Sequence, residues 1–235
     1  MEFVRPSTGR SRLAWTLALV TTTMMLAVAP ASAAPPDTNK QQGPPSTANI
    51  GAPSPELTAQ WWQSFMPLNE GPSALDRCDV GTADIVFLAG TAGGSATRSC
   101  TVSSSQSILV PLINVECSTI EGNGETAAQL TSCARAFGDR FTSLHFKVDG
   151  KPVVPTKRFR VTSGEFTFTM AENNPFGAAP PEDSTVELPA TTSSVSDGYW
   201  ALIPPLPVGT HTITFGGKYP PGKFTTAATY TLTVR

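Results

Sequence analysis

Beyond residue 83 the apolar positions of this chain recur mostly with a period of two. In "LHFKVDG" (144–150), Leu144, Phe146 and Val148 alternate with His145, Lys147 and Asp149. The Asp149-Gly150 pair that follows predicts a tight hairpin turn into "KPVV". "EFTFTM" sets Phe166, Phe168 and Met170 on one side, and "FRV", "YWALI", "THTITF" and "TTAATYTLTV" read as further strands. "ADIVFLAG" (83–90) and "SILVPLINVEC" (107–117) are unbroken apolar, β-branched runs bounded by Gly, Ser and Thr, which predicts buried strands. Two segments depart from the pattern. Ser54-Pro55 has the form of a helix N-cap and first-turn proline, predicting a short helix from Glu56 to about Phe65 that carries Trp61 and Trp62. "ETAAQLTSCARAF" (125–137) places Ala128, Leu130, Cys133, Ala134 and Phe137 on one helical face. Residues 171–189, rich in Pro, Asn, Gly and acids, predict a long loop. The fold expected is mainly β: a single β-sandwich, Ig-like or jelly-roll-like, with one or two short helices.

The amino-terminal pattern is of another kind. Arg5, Arg10 and Arg12 precede an apolar run from Leu13 to Ala29, and "ASA" (31–33) supplies small residues for cleavage before Ala34. Residues 1–33 are therefore read as a signal peptide, and the protein as secreted, without insertion in the membrane. Residues 34–55 are proline-rich and nearly devoid of apolar side chains, as expected of a disordered tether before a domain spanning 56–235. Loss of three arginines and Glu2 from 16 basic and 18 acidic residues leaves the mature chain mildly acidic. With no basic cluster, it has no electrostatic footprint for nucleic acid. An exported chain with an even number of cysteines (Cys78, Cys100, Cys117, Cys133) and no C-x-x-C spacing is expected to form two disulfides. Three pairings are open; Cys78–Cys100 and Cys117–Cys133 are favoured because each closes a local loop.

Candidate chemistry concentrates in "SVSDGYW" (194–200). Asp197-Gly198 reads as a turn feeding a strand, and "PPLPVG" as the connection of an antiparallel hairpin between "YWALI" and "THTITF". That register places Tyr199, Ala201, Ile203, His211, Ile213 and Phe215 on one face, and Trp200, Leu202, Thr210, Thr212 and Thr214 on the other. Two functional readings follow. Trp200 with its neighbours Tyr199 and Thr212, together with Trp61 and Trp62, makes a surface on which a sugar ring stacks and bonds through its hydroxyls. Alternatively Trp200 packs beneath the 171–189 loop. His211 is a general base if Asp197 reaches it, or else a hydrogen-bonded core histidine.

The absences narrow the chemistry. The chain has no G-x-S-x-G elbow, H-E-x-x-H, P-loop or G-x-G-x-x-G, and only two histidines, so neither a metal site nor a cofactor is expected. Carboxylate chemistry stays open: Glu116, Glu121, Glu125, Asp139 and Asp197 are candidate members of a glycosidase-type pair. Glu116 stands out because it ends a very apolar strand.

Three segments taken together, "WWQSFMPL" (61–68), "CDVGTADIVFLAGTAGGSATRSCTV" (78–102) with "ILVPLINVEC" (108–117), and "SVSDGYWALIPPLPVGTHTITFGG" (194–217), resemble a family of exported bacterial and archaeal proteins of unassigned function. The resemblance implies export and marks Asp197, Gly198, Trp200 and His211 as lying in a signature segment, without assigning them roles. The expectation is a secreted β-sandwich module that binds a polysaccharide or cell-envelope polymer. The alternative is a secreted hydrolase or lyase working through His211, Asp197 and acids such as Glu116.

Overall fold

The computed structural model describes residues 47–154 and 156–235. The expected signal peptide, its cleavage point and the tether as far as residue 46 lie outside the described residues. A pair of five-stranded sheets face one another, the sandwich-like arrangement expected. The first sheet contains β1 (Ile85–Phe87), β3 (Ser107–Ser118), β8 (Ala190–Ile203) and β6 (Arg160–Thr162) in that order, with β7 (Phe166–Met170) also on β8. The second runs β2 (Gly94–Val102), β10 (Phe224–Val234), β9 (Gly209–Tyr219), β4 (Thr142–Val148) and β5 (Lys151–Pro152).

Alternation along the strands explains the layers. Ile108 and Val110 of β3, Tyr199, Ala201 and Ile203 of β8, and Ile213, Phe215, Tyr230 and Leu232 of the second sheet fill the space between the sheets. The intervening residues Leu109 and Trp200 point the other way, into a second apolar cluster with Phe87, Phe166, Phe168 and Met170. Helix α1 (Pro55–Phe65) covers that cluster with Trp61, Trp62 and Phe65. The 171–189 loop adds Phe176, Ala178 and Leu188 at its margin. The first sheet is thus buried on both faces. The second turns a threonine-rich face outward, including Thr212, Thr214, Thr229 and Thr231.

Local expectations hold where the signal is local. The Ser54 hydroxyl caps α1 by accepting from the Leu57 N–H. Asp149 and Gly150 take φ values of 50° and 74° in the β4–β5 turn, the left-handed pair such a hairpin requires. Helix α2 (Ala127–Gly138) opens on a Thr126–Gln129 capping box and buries Leu130 and Ala134. Ala128 and Phe137 of its expected apolar face are exposed instead.

Three expectations are corrected. The hairpin between "YWALI" and "THTITF" does not form: β8 pairs with β3, whereas β9 pairs with β10 and β4, so residues 204–208 cross between sheets. Asp197-Gly198 is no turn but the middle of β8, opposite Val115 and Asn114. Gly198 is required by close approach, since a Cβ there would stand 2.5 Å from the Asn114 Cα. Finally, the fold starts before residue 56: Ile50 is buried, and Gly51 exchanges backbone hydrogen bonds with Leu202.

Both favoured disulfides are present. Cys78–Cys100 and Cys117–Cys133 close segments of 22 and 16 residues, with Cα atoms 5.5 and 6.2 Å apart. The second ties α2 to β3 over a small cluster of Leu130, Ala134 and Val195. Loops of this size restrict the unfolded chain by about 3 kcal/mol each. The double substitution Cys117→Ser with Cys133→Ser is expected to lower the unfolding free energy by about that amount in a urea titration.

Candidate functional site

The strand that builds the site is β3, and its decisive feature is one extra residue. Pro111 pairs with Trp200 and Ile113 with Tyr199, leaving Leu112 as a bulge. Before the bulge, even-numbered residues (Ile108, Val110, Leu112) face the core between the sheets. After it, odd-numbered Ile113, Val115 and Cys117 take the inner positions. Slipping one residue exchanges the faces of a strand, so the bulge brings Asn114 and Glu116 to the α1 side. Proline, which has no N–H for the ladder, fits such an irregular position.

A cleft of about 370 Å³ opens there. Its walls are Trp61 and Trp62 of α1, Pro111 and Ile113 to Glu116 of β3 with Glu121 beyond it, Gly90 to Ala92 after β1, Phe176 to Ala178 of the long loop, and Phe224 and Thr226 of β10. The indoles are fixed. Trp61 Nε1 donates to the Leu88 carbonyl at 2.8 Å, and its ring meets those of Trp62, Phe65 and Trp200 with centroids 5.0, 4.6 and 5.5 Å away. Trp62 in turn lies 5.2 Å from the Phe176 ring. Two lining residues, Trp62 and Asn114, each bury a donor, Nε1 and Nδ2, that has no hydrogen-bond partner among the described residues.

Two carboxyl groups share one wall. Glu116, buried on β3, accepts from the Ser194 hydroxyl at 2.5 Å. Glu121, in the turn after β3, accepts from Ser118 at 2.7 Å. Burial pushes the Glu116 carboxyl well above the ordinary glutamate range, and the hydrogen bond and charge of Glu121 add to the effect. Ser194 and Ser118 oppose it. A second, shallower aromatic pocket of about 250 Å³ adjoins the cleft through Asn114, Val115 and Phe224. Phe137, Phe141 and Tyr219 line it, with the rings of Phe137 and Tyr219 5.2 Å apart.

The residues singled out from sequence fall into separate places. Trp61, Trp62, Glu116 and Glu121 meet in the cleft. Trp200 is wholly buried, so the expected sugar-stacking surface at Trp200 is not there; it is packed, as the alternative had it, but the ring upon it is Trp61 of α1. Tyr199 belongs to the core between the sheets, and Thr212 to the outward face of the other sheet, away from Trp200. His211 does not meet Asp197. Its Nδ1 lies 2.8 Å from Asp149 Oδ2 and its Nε2 2.9 Å from the Pro207 carbonyl, while Asp149 Oδ1 accepts from the Thr212 N–H. Both ring nitrogens are occupied, and the imidazole fastens the β4–β5 turn and the inter-sheet crossover to β9. Asp197 is fully buried, accepting from Arg160 Nε at 2.9 Å and Thr162 Oγ1 at 2.6 Å, with Asp139 on the same guanidinium at 2.6 Å. That network pins the end of α2 to the first sheet, and Gly138 packs directly on the Asp197 carboxylate.

Asn114 and Phe176 are absent from the residues the sequence singles out, and of the five candidate acids the cleft brings together Glu116 and Glu121. A proline inside an apolar run, followed by Asn114 and Glu116 at alternate positions, was the available signal. Among the described residues no group of three or more His, Cys, Asp or Glu side chains is arranged to hold a metal ion. Likewise, no helix there is long and apolar enough to cross a membrane. Comparison with models of protein families, with curated proteins and with solved structures found no match.

The raised Glu116 carboxyl has a consequence for stability. Between the ordinary glutamate value and the raised one, the folded state binds more protons than the unfolded chain, so stability falls as pH rises through that window. Glu116→Gln retains an acceptor for Ser194 and a donor for Glu121 but does not titrate. The melting temperature of the variant, relative to the unsubstituted protein, is expected to climb as pH rises above the ordinary glutamate value of about 4.3. A relative stability that declines over the same thermal-unfolding series would show that Glu116 is held ionised.

His211→Ala leaves Asp149 and the Pro207 carbonyl without their partner. A loss of about 2 kcal/mol in chemical denaturation is expected, as for a buried hydrogen-bonded group.

Proposed function

We propose that this protein is an exported glycan-binding module whose ligand site is the cleft between α1 and the bulged strand β3. The observation that carries the reading is the lining itself: fixed indole and phenyl rings beside the polar side chains of Asn114, Thr91 and Glu121. Sugars present apolar C–H faces to aromatic rings and oxygens to donors, and such a mixed wall suits both. The adjoining pocket of Phe137, Phe141 and Tyr219 extends the aromatic surface, as a ligand longer than one ring would use. Export is in keeping with the two disulfides, which belong to an oxidising compartment, and with the leader-like first 33 residues.

Hydrolysis is the weaker reading on geometric grounds. Glycosidase carboxyls stand roughly 5–5.5 Å or 6.5–9.5 Å apart to admit the sugar or a water. Glu116 and Glu121 act on one another directly, and each is bound by a serine hydroxyl of the scaffold. The other proposed actors, His211 and Asp197, are tied up in separate networks.

The purified protein is expected to be retained on at least one insoluble polysaccharide or cell-wall preparation without releasing soluble fragments. Phe176→Ala, on the half-exposed loop wall, and Trp62→Ala, checked for folding by circular dichroism, are each expected to weaken retention at least tenfold, as loss of a stacking face does. Thr212→Ala, on the far sheet, is expected to bind normally. Release of fragments would move the function to hydrolysis; retention indifferent to Phe176 and Trp62 would move the site elsewhere.

A further inference from the structure

The charge of the cleft restricts what it can bind. Among its lining residues the ionisable side chains are Glu116 and Glu121, with no lysine, arginine or histidine. Arg98 donates to the carbonyl of the cleft residue Gly90, but it is buried behind that wall and held by Asp76 at 2.6 Å. Among the described residues no cation lines the cleft to offset the carboxylate charge of the pair. Glu121 on the same wall offers an acceptor to a hydroxyl or an ammonium group.

We propose that the acid pair Glu116–Glu121 makes the cleft selective for uncharged or amino sugars and turns away acidic ones, the uronates and phosphorylated glycans. The inference rests on the cleft being the glycan site, and it names the chemical class of that ligand. The physical basis is simple. A ligand carboxylate held near Glu121 in a partly desolvated site is repelled, with no cation to relieve it, whereas a hydroxyl donates to the same oxygens and an ammonium gains from them.

The test uses three β-1,4-linked tetramers of similar shape, built from glucose, glucosamine and glucuronic acid, titrated calorimetrically against the full protein at low salt. The glucose or glucosamine tetramer is expected to bind at least about tenfold more tightly than the glucuronate tetramer. Added salt should narrow the gap. Glu121→Gln should raise the ratio of glucuronate to glucose affinity by about fivefold or more, a ratio that a general loss of folded protein does not move. Glucuronate binding as tight as glucose, or a ratio untouched by Glu121→Gln, overturns the inference and leaves the glycan-binding reading standing. Failure of all three tetramers to bind counts against the glycan-binding reading itself.

Discussion

Strand β3 has to bury both of its faces, one against the second sheet and one beneath α1, and the bulge at Leu112 decides which residues meet which neighbour. Up to Pro111 the alternation serves two apolar layers: Ile108 and Val110 inward, Leu109 toward the tryptophans. Past the bulge the inner positions pass to Ile113, Val115 and Cys117, where α2 and its disulfide complete the covering. The same shift delivers a polar pair, Asn114 and Glu116, to the face that α1 only partly roofs. Without the extra residue those two side chains would point into the interior between the sheets, where a carboxyl and an amide have no partners. The cleft is thus a by-product of a register that the core demands.

Buried polar groups divide the molecule into scaffold and site. Asp197 with Arg160, Thr162 and Asp139, His211 with Asp149 and Pro207, and Arg98 with Asp76 and Tyr230 are closed networks, each joining elements distant in sequence. Such groups hold the fold. By contrast, the unpaired buried atoms Trp62 Nε1, Asn114 Nδ2, Ser196 Oγ and Trp200 Nε1 belong to α1 or to the outer face of β3 and β8. A buried polar group without a partner costs about 1–3 kcal/mol. Of these four atoms, two belong to residues that line the cleft, Trp62 and Asn114, whereas Ser196 and Trp200 are wholly buried and do not line it.

The sequence was legible wherever the signal was local. Caps at Ser54 and Thr126, the Asp149-Gly150 turn, the alternation of Phe166, Phe168 and Met170, and two short-range disulfides are each written within some twenty residues. What misled was adjacency. "YWALI" and "THTITF" are separated by a turn-like "PPLPVG", and nothing local says that the chain crosses to the other sheet there. That one error put Trp200 beside Thr212 and His211 beside Asp197, and both supposed sites dissolved with it. Asp-Gly is a reliable turn signal at 149–150, where the chain reverses on itself. At 197–198 the same dipeptide is mid-strand, because Arg160 and Thr162 claim the aspartate and the Asn114 backbone presses on the glycine. Glu116 was recognisable as unusual, an acid closing an apolar strand, but its partner five residues on is joined to it through a turn whose path the sequence did not disclose.

The tryptophans bear on how tightly such a cleft can hold a ligand. An exposed aromatic platform must surrender side-chain freedom on binding, a cost of roughly 0.5–1.5 kcal/mol for each mobile side chain. Trp61 and Trp62 have already surrendered it. Trp61 is locked by the Leu88 carbonyl and by edge contact with Trp200, and Trp62 is wedged between Trp61 and Phe176. Trp200, the residue that first looked like a ligand platform, thus acts one layer down, as the support that keeps the cleft wall rigid. Its burial leaves the indoles of the helix packed upon it, and not its own, to line the cleft.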